Sequence, residues 1–421
     1  MQSISKIRRL LAESVEKPLT NLILAIEPWI YYSATNMLQK FLITNCRLFD
    51  APDDKQTTSI LIENGTITQI GQISSSAGCN NTLDAQGRII APGFIDIHIQ
   101  GAGGADILDA TPDALKAISQ TCARFGTTGF LATTVFKPKQ ENQHLTLAAE
   151  HVGRDLGGAN LLGIHLEGPF ISLEKKGMIL PECICPPSLQ VLNQILSITK
   201  GNLKMMTIAP ELPHNIPLIK RLVDSNIIAS FGHSIATYQQ TLDGFDAGIS
   251  HVTHLFNAMP SFHHRAPGPL VAIFQTKHVT TQLIADGVHI HPAVLKFAFE
   301  TLGPNRIIPI TDGMQALGLG DGKFIYNGIE YESKNGTASY KDGTLIGTAL
   351  GLSQLLEKLK AFTGCPGDVA IKTVTQNPSS LLGLDGNKGT IAPGKDADLV
   401  LLDYDHSVHT TIVSGKIVFQ K

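Results

Sequence analysis

Six side chains able to ligate a metal or carry a proton stand at or just beyond the ends of short apolar runs. They are His98 after GFIDI, Glu167 after LLGIHL, His233 after IIASFG, His254 within VTHLF, His289 beyond QLIADG and Asp312 after IIPIT. Any one histidine is more simply a hydrogen-bonded structural residue, and Asp312, followed by Gly313, also reads as a turn residue. Glu167 resists such a reading, because a carboxylate between an apolar run and Gly168-Pro169 is costly to bury without a partner. As a set, two imidazoles and one carboxylate with a position left open for water describe a catalytic zinc-type site rather than a closed structural one. A divalent cation lowers the pKa of such a water toward ~7, and a base must take the proton released. Asp312 is the natural candidate. Acting as base and then as acid, it would pass the proton to a leaving nitrogen, which is amide hydrolysis.

The elements that must hold these groups follow from the rhythm of the chain. From Pro92 onward, short apolar runs such as GFIDIHIQG, TTGFLATTV, NLLGIHLEG, LKMMTIAPE and TTQLIADG alternate with helical patterns such as TPDALKAISQTCARFG. That alternation predicts parallel strands with crossover helices. The number of runs suits a (β/α)8 barrel, where active groups collect at the C-terminal strand ends. The preceding stretch is different: FLITNCRLF and SILIENGTITQIG are short strands, with Asn64-Gly65 a strong hairpin signal. KGTIAPGKDADLVLLDYDHSVHTTIVSGKIVFQK returns to strand-and-turn text. The expected fold class is therefore α/β, a TIM-type barrel over 92–385 beside a small β-sandwich domain built from both chain ends, 38–91 and 386–421. Residues 1–37 read as an extension outside the core. Their apolar residues are interrupted by Glu27 and Pro28, short of the ~20 needed to span a bilayer, and no clear cleavage site follows.

Composition narrows the function class. The 421-residue chain is 43% hydrophobic and 16% charged, as in a compact soluble protein. Lys and Arg total 33 against 36 Asp and Glu, so no positive excess is available for a nucleic-acid backbone. The six cysteines form no C-x-x-C pair, which favours reduced thiols and a cytoplasmic location. Cys183 and Cys185 are read as idle thiols rather than a metal site.

The motifs HLEGPFIS (165–172), GHSIAT (232–237), THLFNAMP (253–260), IADGVHIHP (284–292) and TDGM (311–314), with APGFID (91–96) ahead, resemble those of N-acetylglucosamine-6-phosphate deacetylases of the amidohydrolase superfamily. The resemblance runs from about Phe41 to the C-terminus. It implies that Glu167, His233 and His254 hold one divalent metal ion per subunit, most naturally zinc, and that Asp312 is the catalytic base and acid. It also implies that His289 holds the sugar and that Asn257 and Ala258 contact its phosphate. Arg265 matches an arginine that reaches the neighbouring subunit's phosphate in a homodimer, where a planar guanidinium suits phosphate oxygens. Met178 and the segment Leu345, Ile346 and Gly347 would lie against the substrate, the latter beside the acetamido group.

Two positions depart from the family pattern. Many members carry H-x-H where this chain has His98-Ile99-Gln100, and there both imidazoles help bind a second metal. A carboxamide is a weak zinc ligand, so one catalytic metal is expected here, with His98 a spectator or an occasional ligand. After Glu174-Lys175-Lys176-Gly177 most members also carry a substrate-polarising histidine, where this chain reads Met178-Ile179. Losing such a donor costs on the order of 10²–10³ in rate unless another group, such as His263 or His264, substitutes. The expected activity is removal of acetate from N-acetylglucosamine 6-phosphate. The rivals are the galactosamine epimer as substrate and a catalytically impaired sugar-phosphate-binding homologue. A dihydroorotase-like enzyme ranks lower, because no strand-end lysine presents itself to bridge two metals.

Overall fold

The computed structural model describes residues 40–51, 56–73, 79 and 81–421, so the extension expected at 1–37 lies outside the described residues. Eight parallel strands follow one another around a barrel: Phe94–Ile99, Thr127–Thr134, Asn160–Glu167, Leu203–Ile208, Ile228–Phe231, His251–Val252, Thr280–Leu283 and Ile307–Pro309. Each is followed by a helix that returns the chain to the barrel floor. All residues of Phe94–Ile99 and of Thr127–Thr134 are buried, the near-continuous burial expected of parallel strands covered on both faces. The first helix, Pro112–Arg124, shows why these segments wind where they do. Thr111 caps it by accepting a hydrogen bond from the Ala114 amide, Pro112 pre-sets the first turn, and Leu115, Ile118 and Cys122 recur on its buried side.

The ring is completed beyond the eighth strand. Ile99 bridges Gly313, and the amides of Gln100 and Gly101 both donate to the Gly313 carbonyl at 2.9 Å. Below them, buried Asp96 accepts from the backbone of His98 and from the Thr311 hydroxyl. First and last strands are thereby locked in register, which sets His98 beside Asp312.

A four-stranded antiparallel sheet not foreseen from the sequence lies between the eighth strand and the helix Leu352–Thr363. Its strands are Gly322–Tyr326, Ile329–Lys334, Thr337–Tyr340 and Leu345–Thr348. Tyr326, Tyr331 and Ala338 from this sheet pack on Met314, Ile346 and Met178, forming one wall of the barrel mouth. A second large sheet joins the two chain ends: Leu399–Leu402 runs antiparallel to Ile89–Pro92, which lies next to Lys40–Leu48. Its core holds Ile43, Ile60, Ile62, Leu399, Leu401 and Ile412. At Asn64 and Gly65 φ is +52° and +80°, as a two-residue type I′ hairpin requires. Among the described residues, no helix is long and apolar enough to cross a membrane.

Candidate active site

Glu167, His233 and His254 stand at or just beyond the ends of the third, fifth and sixth strands, and their ligand atoms converge. Glu167 Oε1 lies 3.0 Å from His233 Nε2 and 3.0 Å from His254 Nε2, and the two Nε2 atoms are 3.0 Å apart. His233 Nδ1 lies 2.7 Å from the Lys175 carbonyl. A carbonyl only accepts, so Nδ1 carries the hydrogen and Nε2 turns a bare lone pair toward the carboxylate. Acceptors facing acceptors repel unless a proton or cation lies among them, and all three ligand atoms fall within 4.8 Å of one another. This donor set fits a divalent cation. Among the described residues it is the one group of three or more such ligands. Cys183 and Cys185 take no part in it.

The backbone is bent to bring these groups inward. His233, His254 and Asp312 all have positive φ, at +49°, +28° and +46°. Left-handed backbone is uncommon outside glycine and clusters where tertiary structure imposes it, often at functional sites.

Asp312 and His98 form the second half of the cluster. His98 Nδ1 donates to Gln282 Oε1 at 2.9 Å, and the same oxygen accepts the His254 amide at 3.2 Å. Gln282 thus fixes one histidine's ring and the other's backbone. His98 Nε2 faces Asp312 Oδ1 at 3.2 Å and Glu167 Oε2 at 3.7 Å. Burial would lower the His98 pKa, but the Asp312 and Glu167 carboxylates outweigh it and hold it well above the usual imidazole value. Burial likewise pushes Asp312 and Glu167 up, yet the charge of His98, whose Nε2–H also points at both carboxylates, brings both below their ordinary values. The surroundings of Asp312 thus favour its carboxylate form, the form a base requires.

Above the cluster opens a cavity of roughly 260 Å³, just under the ~300 Å³ lower end of typical ligand pockets. Glu167, His233, His254, Asp312, Met178, Asn257, Ala258, His289, Leu345 and Ile346 all line it. Gly347 lies directly behind, where a Cβ would collide with the Asp312 carbonyl. His289 is held by Asp286, whose Oδ2 lies 2.7 Å from its Nδ1 and whose Oδ1 accepts the amides of Val288 and His289. Larger clefts elsewhere, such as the one lined by Phe49, Leu356 and Lys360, hold no metal-ligating triad among the described residues.

Two expected features stand apart. Arg265 lies outside the pocket lining, on an exposed loop beside His263 and His264, with its guanidinium 2.9 Å from His264 Nε2. Ile179 also stays out of the pocket: it is 2% exposed and packs on Val135, Ile171 and Cys183, while its neighbour Met178 faces the cavity. Asp286 and Gln282 were not picked out from sequence. The available signal was an acid and an amide inside an otherwise apolar strand end, TTQLIADG, where a buried polar group needs a partner.

Comparison with known proteins places the chain in a family. The sequence model of the amidohydrolase family matches residues 89–418. The N-acetylglucosamine-6-phosphate deacetylase of Bacillus subtilis (strain 168) is 40% identical over 335 residues, covering 79% of this chain and 85% of that protein. The N-acetylgalactosamine-6-phosphate deacetylase of Escherichia coli O157:H7 is 33% identical over 366 residues, covering 87% and 95%. A mutant N-acetyl-D-glucosamine-6-phosphate deacetylase from Mycobacterium smegmatis, solved in complex with N-acetyl-D-glucosamine-6-phosphate, shares 30% identity at a TM-score of 0.82 and covers 91% and 100%. Sequence match, barrel and ligand triad coincide over the same residues, and the chain belongs to the amidohydrolase family of metal-dependent hydrolases.

Proposed function

We propose that this chain hydrolyses the acetamide of N-acetyl-D-glucosamine 6-phosphate, releasing acetate and D-glucosamine 6-phosphate. The observation that carries the reading is the placement of the Asp312 carboxyl against the same cavity as the Glu167, His233 and His254 donors, in a chain similar to deacetylases along most of its length. The galactosamine epimer is the second reading, favoured by the similarity to the Escherichia coli O157:H7 enzyme.

Glu167, His233 and His254 would hold one divalent ion per subunit, and their nitrogen and oxygen donors suit zinc. Once bound, that ion supplies Lewis acidity toward a carbonyl oxygen and lowers the pKa of water. The chain's own residues do the rest. Asp312 takes a proton from the water that attacks the acetamide carbon, and returns it to the sugar nitrogen as the C–N bond breaks. His289, oriented by Asp286, holds the sugar. Asn257 and Ala258 contact its phosphate, while Met178, Leu345 and Ile346 enclose the acetamido side. Exposed Arg265 reaches the phosphate bound in the neighbouring subunit of a homodimer.

The domain division we infer is an extension at 1–37, a split β domain at 38–91 and 386–421, and a barrel at 92–385. Unpaired cysteines and the near-neutral charge balance support a cytoplasmic enzyme acting on a small sugar phosphate. The test is acetate release from both N-acetylhexosamine 6-phosphate epimers. Turnover that Asp312→Asn abolishes while metal content holds supports the reading. Turnover on neither sugar by the metal-loaded protein would refute it.

A further inference from the structure

Gln100 lies just past the first barrel strand and is 1% exposed. Its Nε2 lies 3.0 Å from Asp312 Oδ1, 3.2 Å from His98 Nε2 and 3.5 Å from Glu167 Oε2. Its Oε1 is buried with no hydrogen-bond partner among the described residues. Turning the amide over would gain one contact, from the His98 Nε2–H, but would set a carbonyl oxygen against two carboxylates, so the nitrogen faces inward even though the oxygen is left unpaired. An unpaired buried carbonyl is unfavourable. The bonds made by the nitrogen therefore outweigh it.

We propose that Gln100 is a positioning residue for Asp312: its amide N–H holds Oδ1, so that Oδ2 is the oxygen turned to the pocket. This rests on the reading of Asp312 as the proton carrier. Oδ1 is taken by both Gln100 and His98, whereas Oδ2 has no hydrogen bond among the described residues. Both partners are tied down by backbone. The Gln100 amide donates to the Gly313 carbonyl at 2.9 Å, and the Asp312 amide donates to the His98 carbonyl at 3.0 Å. Carboxamide and carboxylate thus share one rigid seam at the barrel closure. The amide suits this point for a further reason. It is a neutral donor between two like-charged carboxylates, and it turns hydrogens rather than a lone pair toward them. It steadies the base without competing for a metal.

The test uses the full-length, metal-loaded protein and compares wild type with Gln100→Leu, Gln100→Glu and Asp312→Asn. Metal content, thermal midpoint, kcat and KM for acetate release from N-acetylglucosamine 6-phosphate are measured for each. Leu is close in volume but lacks the donor; Glu keeps the shape and replaces the donor with an acceptor. The expected result for Gln100→Leu is wild-type metal content, KM within about threefold and kcat lowered about 10- to 100-fold, the scale of one lost bond to a charged group. Gln100→Glu should fall at least as far, and it decides the matter if the Leu variant does not fold. Wild-type kcat in both Gln100 variants with a dead Asp312→Asn overturns the inference alone. Loss of kcat that tracks loss of metal also overturns it, because Gln100 would then act through Glu167. Sustained turnover by Asp312→Asn would overturn the underlying assignment of the base.

Discussion

The Nδ1 of His289 lies 2.7 Å from Oδ2 of Asp286, and the other oxygen of that carboxylate takes two backbone amides of the same turn. A ring held this way has one orientation, with Nε2 available to a ligand. Asp286→Ala should therefore raise KM for the sugar phosphate by about tenfold or more, the scale of one charge-assisted hydrogen bond. Steady-state kinetics with metal analysis is the check. The change should fall mainly on KM, with metal content unchanged, because Asp286 is not part of the ligand triad.

Arg265→Ala probes the phosphate assignment. The side chain is exposed, so its removal should leave the thermal midpoint nearly unchanged. KM for the 6-phosphorylated sugar should rise about 10- to 100-fold, while activity on the unphosphorylated sugar stays as it was. An equal effect on both sugars would show that Arg265 does not meet the phosphate.

Gly347 has φ +139°, and a Cβ there would collide with the Asp312 carbonyl. Gly347→Ala should therefore displace Asp312 and cut kcat by at least tenfold, since small misplacements of a reacting group carry large rate penalties. A crystal structure of the variant beside its kinetics would show whether lost rate and moved carboxylate go together.

Ile179→His should not raise the rate. Ile179 packs in an apolar cluster away from the cavity, and an imidazole there would be buried without a partner among Val135, Ile171 and Cys183. A lowered thermal midpoint is expected, by an amount equivalent to about 1–3 kcal/mol. A rate increase would mean that the segment after Gly177 rearranges to face the pocket.

Acid should weaken the fold through His144, which is buried with its Nε2 2.9 Å from the Val135 carbonyl. Desolvation lowers its pKa from 6.5 to about 4, outweighing the carbonyl contact. The unfolded chain takes up this proton near pH 6.5 and the folded chain only near pH 4. The His144 contribution is thus fully present above about pH 6.5 and is lost as pH falls to about 4. Integrated, that is about 3 kcal/mol. Denaturation midpoints from pH 7 to 4 should decline more steeply for wild type than for His144→Gln. Parallel slopes would contradict the assignment.

How much of this was legible in the sequence depends on how far each feature reaches. The barrel was readable because every strand is a local apolar run and every helix a local pattern; even His251–Val252, only two residues long, is marked by the apolar run VTHLF. That the candidate site's polar residues share one cavity was readable for the same reason, since they fall at the ends of those runs. The sheet Gly322–Thr348 was missed because its strands are short and mostly solvent-facing; in Ile329–Lys334 only Tyr331 and Ser333 are buried. The facing of Met178 and Ile179 was also hidden. Gly177, at φ +55°, turns the chain there, and no periodicity predicts which neighbour then enters the pocket. Gln100 read as a weak ligand, whereas its value as a donor depends on Asp312, 212 residues away in sequence.

The central claim is that Asp312 and the Glu167, His233 and His254 triad act on one N-acetylated sugar phosphate. The most direct measurement follows acetate released from N-acetylglucosamine 6-phosphate by wild type and Asp312→Asn, with bound metal counted in the same samples. The account predicts about one metal per chain in both proteins, and turnover in wild type alone. Turnover that survives in Asp312→Asn, or its absence from metal-loaded wild type with both epimers, would contradict it.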